Sequence, residues 1–569
     1  MKRLLKKETH KFGCIIEKII PFYYLTVRVN EGILKNIFLL ILLFSLFSCT
    51  KKEGKKEFSL ERKPTYGDTI IEASIGDASL LNPVLASDSA SASINNLVYN
   101  GLVKYNKNLK LVGDLAEKWK VSSDGKIIIF FLRRNVHWHD GKPFTAEDVN
   151  FTYKKLVDPS VRTPYSADYE RISSVQILDD YTIKIVYREP FSPALESWGI
   201  GIVPKHIFSV GDFNTNPANR KPVGTGPYIF KEWRSDEKIV LEANPDYFEG
   251  KPYIQRVIYR IIPDQAVQLM ELKRESIDMM GLTPYQYQKE TITSNFMERF
   301  NKFRYPSFGY TYLGYNLRNP LFKDKRVRQA LSYAINKEEI IEVILHGLGK
   351  RATGPFPPSS WAYNPNVKEY RYNPKKARQL LKQAGWKDTD NDGVIDKDGV
   401  PFSFVILTNQ GNKMRELSAT IIQENLRKIG IDVKIRIIEW SSFIHQYIDK
   451  RNFEAVLLGW SLSYDPDCFS IWHSSQIGEG KYNFISYSNK RVDRLLAQGR
   501  RVFDLDKRKR IYYEIHRILA DEQPYTFLYV SDSLPVVHRR FKGIKVEKAG
   551  IGYNFIKWYV PKSQQRYMQ

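Results

Sequence analysis

Between Phe402 and Leu458 the chain alternates in a way that few architectures satisfy. Phe402–Leu407 reads as an apolar strand, Lys413 to about Lys428 as an amphipathic helix, and Asp432–Ile438 as a second strand. Strands joined through a helix make a parallel β-α-β unit with a right-handed crossover. Ala455-Val456-Leu457-Leu458 follows, apolar at every position, as a strand buried on both faces must be. It extends the same sheet and delivers the chain into Leu457–Gln476, LLGWSLSYDPDCFSIWHSSQ. Ligands of open α/β sheets sit just beyond the carboxyl ends of such strands. No Lys or Arg occurs from Asn452 to Gly480, where composition would place about four. In so basic a chain that gap reads as a pocket kept free of positive charge. An ordinary buried strand and its loop is the competing reading.

The other elements repeat this texture. Thr69–Ser74, Lys126–Leu132, Thr182–Tyr187 and Lys238–Glu242 read as strands, and Thr526–Val530 as a late one. Ser93–Tyr99 reads as a helix, and Thr145 with Asp148 caps another through Leu156. Asn336 with Glu339 caps a helix ending at Gly347, and Asn373-Pro374 opens one that stops at Gly385. Val492–Leu496 and Asp506–Leu519 supply further helices. A chain of 569 residues with 43% apolar and 26% charged residues is better divided into two α/β lobes than built on one core.

The amino terminus reads as an address. Ile37–Phe47 is a continuous apolar run, long enough for a signal-peptide core and short of the roughly 20 residues that a spanning helix needs. Leu46-Phe47-Ser48-Cys49 resembles a bacterial lipobox, with Cys49 as the lipid acceptor. Residues 1–30 are an odd prefix for a signal peptide and suggest a misassigned start. The charged stretch after Cys49 is a tether between membrane and domain. Cys14, Cys49 and Cys468 form no disulfide framework. The net charge is +24, of which +19 lies beyond residue 48. No zinc-finger spacing or basic stripe accompanies it, so nucleic acid is not the expected partner.

Several motifs appear together and in order: Val136-His137-Trp138-His139-Asp140-Gly141, Thr145-Ala146-Glu147-Asp148-Val149, Gly224-Thr225-Gly226-Pro227-Tyr228, Arg326-Val327-Arg328-Gln329-Ala330-Leu331 and Gly459-Trp460. From about Tyr66 to Tyr559 the chain resembles the periplasmic oligopeptide- and dipeptide-binding proteins, the family 5 solute-binding components of ABC importers. The resemblance implies a two-lobed α/β periplasmic binding protein fold (type II, cluster C) with an inserted domain, three domains in all. Residues 66–105, 171–308 and 538–569 would be domain I, 106–170 the inserted domain II, and 309–537 domain III. Residues 1–48 would be the signal peptide and 49–65 the lipidated cysteine and tether. An exported, monomeric lipoprotein would capture an oligopeptide between its lobes and deliver it to an inner-membrane permease, without cofactor or catalysis. Ser87, Asp88, Ser89 and Ala90 would face the ligand from domain I. Gly459, Trp460, Ser461 and Ser463 would face it from domain III, joined by Tyr464, with Tyr310 and Tyr312 near the hinge.

The chain departs from the family where the peptide ends are held. Ser463 stands where an aspartate binds the α-ammonium, Leu457 where an arginine meets the carboxylate, and Met414 where some members carry a histidine. A serine cannot pair with a buried ammonium, which leaves Asp465 or Asp467 to turn inward. An oligosaccharide stacked on Trp460 and Trp472 is the first alternative, and a surface adhesin or chaperone the second. His137, His139 and Asp140 read as a structural turn rather than as metal ligands. Asp388, Asp390, Asp392 and Asp396 match four ligand positions of a calcium loop, but position twelve is Gly399. An acidic turn is the favoured reading there.

Overall fold

The computed structural model describes residues 63–567. The signal core, Cys49 and most of the tether lie outside them. Strand β1 (Thr69–Ser74) comes first, and helix α1 (Ser89–Val98) follows. This helix starts at Ser89 rather than Ser93 because Asp88 caps it, accepting from the Ser91 N–H at 3.0 Å.

A four-stranded antiparallel sheet then forms from β2 (Ala116–Val121), β3 (Ile127–Leu132), β4 (Ile172–Asp179) and β5 (Thr182–Tyr187), in the order β2-β3-β5-β4. Helix α2 (Ala146–Val157) carries the expected Thr145/Asp148 capping box and packs on β4. The domain boundary expected at 170 falls inside this sheet. β5 hydrogen-bonds to β3 on one side and β4 on the other, so a division at 170 would separate β3 from the strand that covers its edge.

A short helix, α3 (Ala194–Ser197), leads to β6 (Tyr228–Arg234), β7 (Lys238–Ala243), β8 (Arg256–Ile261), β9 (Met279–Gly281) and β10 (Phe300–Lys302). The Gly224-Thr225-Gly226 turn before β6 lies directly on the end of α1. A Cβ on Gly224 would stand 1.8 Å from the Val98 carbonyl oxygen and one on Gly226 2.4 Å from that of Leu97, so only glycine fits at either place.

The second lobe contains β11 (Gly309–Tyr315), β12 (Ser403–Asn409), α4 (Lys413–Arg427), β13 (Asp432–Ile438), β14 (Ala455–Ser461), α5 (Lys490–Gly499), α6 (Leu505–Glu522) and β15 (Tyr525–Ser533). The β12-α4-β13 unit is parallel, as its pattern predicts. Its sheet runs β15-β11-β14-β12-β13. β14 is buried on both faces: Val456 and Leu458 join one apolar cluster, Ala455 and Leu457 another. The chain then returns through β16 (Pro535–His538) to complete the first sheet, in the order β10-β16-β9-β1-β8-β7-β6. One apolar cluster joins this sheet to the four-stranded one, with Ile70, Leu241 and Val537 from the first and Ile128 and Ile183 from the second.

The returning segment is fastened by Arg540, whose side chain is 2% exposed. It pairs with Asp68 before β1 and with Asp278 before β9 (2.8 Å), and donates to the Thr69 carbonyl at 2.9 Å. Removing one partner of a buried pair strands the other charges in low dielectric. Arg540→Ala is therefore expected to cost about 3–5 kcal/mol, read as a lower urea midpoint at pH 7. Acid should weaken the second lobe through His516, which is fully buried and accepts the Asn364 N–H at Nδ1 (3.0 Å). Burial pulls its pKa down to about 4 from 6.5. The unfolded chain then takes up the proton first, so stability is complete above pH 6.5 and declines as pH falls toward 4. At pH 5 the loss from this histidine is about 2 kcal/mol, measurable by urea unfolding against pH 7.

Candidate functional site

β14 is paired with β11 along its whole length, from Ala455↔Tyr315 to Ser461↔Gly309. On its other edge it meets β12 only at Ile406↔Ala455 and Leu407↔Val456. The Thr408 hydroxyl donates to the Leu457 carbonyl at 3.0 Å, and beyond it the two strands diverge. The Leu462 N–H donates to the Phe308 carbonyl on the β11 side at 2.9 Å. By alternation, Gly459 and Ser461 therefore turn their N–H and C=O groups to the open edge. Strand order also reverses here. β12 is followed by β13 on its far side, whereas β14 is followed by β15 beyond β11. A fork of this kind at the carboxyl ends of parallel strands is a binding crevice.

Arg415 occupies the fork. It lies in the first turn of α4, which is capped by Asn412, and it donates to the Asn409 side-chain oxygen at 2.8 Å. A Cβ on Gly459 would stand 2.8 Å from this guanidinium, so the glycine gives the arginine its place against β14. No carboxylate lies within ion-pair distance of Arg415 among the described residues, and burial pulls its pKa below the usual arginine value.

Neither aspartate of the loop after β14 is free. Asp465 is gripped at both oxygens by Arg508, at 2.5 and 2.7 Å. Asp467 accepts from Arg500 Nε at 2.8 Å, and the same guanidinium reaches Asp168 of the first lobe at 2.5 Å and the Ala167 carbonyl at 3.0 Å. Burial works against the charge on Arg500, but Asp467 and Asp168 outweigh it and hold the pKa above its usual value. The stretch without Lys or Arg is thus not without cationic partners, although the cavity it helps to wall holds one lining cation, Lys104. The gap between Asn452 and Gly480 is filled in space by arginines from α6 and the loop after α5.

The other expected residues are dispersed. Ser87 lines a separate cavity of about 580 Å³ with His445 and Asp449 of the second lobe. Asp88 is the buried cap of α1 and also accepts from Trp440 Nε1 across the lobes at 3.2 Å. Ser89 is exposed at the helix start, and Ala90 is half-buried behind it. Tyr310 and Tyr312 are core residues of the second lobe, 4% and 0% exposed, with the Tyr312 ring 3.9 Å from that of Tyr525. Trp460 lies against Phe484 and Tyr482, and Trp472 is wholly buried, so the aromatic platform for a sugar is absent at Trp472. Ser463, Asp465 and Asp467 do come together, on one wall of a cavity of about 720 Å³. Tyr464 packs edge-on against Tyr105 of the first lobe.

That cavity faces the first lobe through Tyr165, Asp168 and Glu196. The lobes are in contact around it. The Tyr482 hydroxyl donates to that of Tyr165 (3.1 Å), which donates to the Ala86 carbonyl (2.7 Å). Lys481 donates to the Thr163 carbonyl at 3.0 Å, and the Ser192 N–H to the Arg500 carbonyl at 2.7 Å. Sequence reading missed Arg415, Arg500, Tyr165 and Glu196. Only Arg415 left a signal, three residues after a capping asparagine at the end of a strand.

His139 is structural: its ring nitrogens meet the Gly226 carbonyl (3.0 Å) and the Gly224 N–H (3.2 Å). In the acidic turn Asp388, Asp390 and Asp392 converge and are exposed. Asp396 instead accepts the Thr389 N–H and hydroxyl, both at 2.8 Å.

The family description "Bacterial extracellular solute-binding proteins, family 5 Middle" matches residues 110–481. Among curated relatives, the oligopeptide-binding protein AppA of Bacillus subtilis is 37% identical over 93% of this chain and 98% of its own. The AppA structure, solved with a nonapeptide, superposes with a TM-score of 0.84 over 88% of this chain and all of that one. NikZ from Campylobacter jejuni, solved with Ni(L-His), is 34% identical with a TM-score of 0.78, over 86% and 99% of the two chains.

The geometry assigns Asp465 to the stability of the second lobe. Asp465→Asn would leave the Arg508 guanidinium, 8% exposed, without its counter-charge. A loss of about 3 kcal/mol in the ligand-free protein is expected by urea unfolding. An unchanged midpoint would return this carboxylate to the ligand.

Proposed function

The chain belongs to the bacterial extracellular solute-binding proteins of family 5, and we propose that it captures oligopeptides between its lobes for an ABC importer. The open edge of β14 carries this reading. An extended peptide laid along Gly459 and Ser461 would continue the sheet through main-chain hydrogen bonds, which are indifferent to side-chain identity. Arg415 at the fork suits a terminal carboxylate, the task the resemblance assigns to the position of Leu457. The cavity beyond Ser463 leaves room for residues and water.

In this reading the protein is exported, is held to a membrane by lipid on Cys49, and acts as a monomer. Its closed form is the one presented to the permease, with hinge motion as the mechanism. The working units are a first lobe from both ends of the chain, which carries the inserted domain extended to Tyr187, and a second lobe of residues 309–533.

A thermal-shift screen of tri- to nonapeptides, oligosaccharides and a nickel–histidine complex tests this. Peptides should raise Tm progressively, by an amount equivalent to about 2.7 kcal/mol at a hundredfold excess over Kd. A shift with the sugars or the nickel complex and none with any peptide would replace the peptide as ligand.

A further inference from the structure

The cavity of about 720 Å³ is walled by six carboxylates, Asp114, Asp168, Glu196, Glu249, Asp465 and Asp467, and by one cation, Lys104. Five of the six are ion-paired. Asp114 and Glu249 share Lys104 at 3.2 and 2.6 Å, Asp168 and Asp467 share Arg500 at 2.5 and 2.6 Å, and Asp465 holds Arg508 at 2.5 Å. Glu196 has no cation within that distance among the described residues. It accepts a long bond from the Asp465 N–H, at 3.5 Å, and a hydrogen bond from the Tyr105 hydroxyl. Burial, and then the charge of Asp465, push its pKa up to about 8. A half-buried carboxylate among other carboxylates is held at a cost, which a positive charge entering the cavity would reverse.

Position gives that charge its place on the ligand. Glu196 is presented by α3 of the first lobe and meets the loop that continues the open edge past Ser461. A strand added along β14 would have the unpaired Arg415 near Gly459 and the unpaired Glu196 beyond Ser463. A guanidinium at one end of the edge, and at the other a carboxyl that ionises when an ammonium enters, fit the two ends of a zwitterionic chain. We infer that Glu196 selects the ligand's amino-terminal ammonium, reaching it from the first lobe across the cleft from β14.

This rests on the peptide reading above, and the experiment separates the two. The tightest peptide of the screen, free and N-acetylated, is titrated calorimetrically into the wild type and Glu196→Gln. The wild type should prefer the free amine by about ten- to a hundredfold. Glu196→Gln should lose that preference by weakening the free peptide alone, the acetylated form serving as the check on folding. A carboxyl with a pKa of about 8 carries about 0.9 proton at pH 7. Ammonium binding expels it, so the wild-type enthalpy should vary with the ionisation enthalpy of the buffer and that of Glu196→Gln should not. A peptide bound with no acetylation penalty, or a penalty that survives Glu196→Gln, overturns the inference and leaves peptide capture standing. If no peptide binds the wild type, the peptide reading falls and the inference falls with it.

Discussion

A guanidinium with 1% of its side chain exposed cannot persist in a fold without carboxylates to match it, and Arg500 draws them from both lobes. Asp467 comes from its own lobe, and Asp168 with the Ala167 carbonyl from the other. The Phe469 ring covers the guanidinium at 4.0 Å, which keeps water from diluting either pair. Separating the lobes would leave Arg500 one carboxylate short and hydrate the remainder. The contact that joins the lobes therefore also sets the wall of the cavity. It commits Asp467 to that wall, as Arg508 commits Asp465, so any free negative charge in the cleft must come from elsewhere.

This explains which parts of the architecture were legible in the sequence. The β12-α4-β13 unit and β14 announce themselves through periodicity, because each buries a face that its own residues define. The helix from Pro374 and the capping box before α2 are equally local signals. The continuation of β14 through Gly459, Trp460 and Ser461 is not local. Its partner is β11, more than a hundred residues earlier, and no pattern in either strand points to the other. The extent of the four-stranded sheet is not local either, since β4 and β5 belong to it only through pairing.

The site was legible as a place and not as a set of roles. Gly459 and Trp460 lie near the end of a strand that runs parallel to β12, beside the fork between the two. The charge pattern along the chain does not show which cations its aspartates meet in space. Arg500 and Arg508 lie 33 and 43 residues beyond the aspartates they neutralise. Tyr310 and Tyr312 share one face of β11, which packs into the core of the second lobe. Glycine was the more dependable marker. Gly459 is small because Arg415 passes over it, just as Gly224 and Gly226 are small because α1 lies against them.

The charge of the whole chain and the charge of the cavity wall differ in sign. A chain with a net +24 suggests an affinity for anions, yet the carboxylates lining the cavity outnumber its cations six to one. The two statements act over different distances. Charges on the exterior are screened within about 8 Å at physiological salt, whereas groups in a walled cleft act on what enters through low dielectric. Five of those carboxylates are already answered by Lys104, Arg500 and Arg508, so the local polarity is set by the remaining one. Asp465 and Asp467 are thus the visible charges, but they hold the wall. Glu196, in a stretch with no sequence signal, is the one carboxyl of that wall without a cation partner among the described residues.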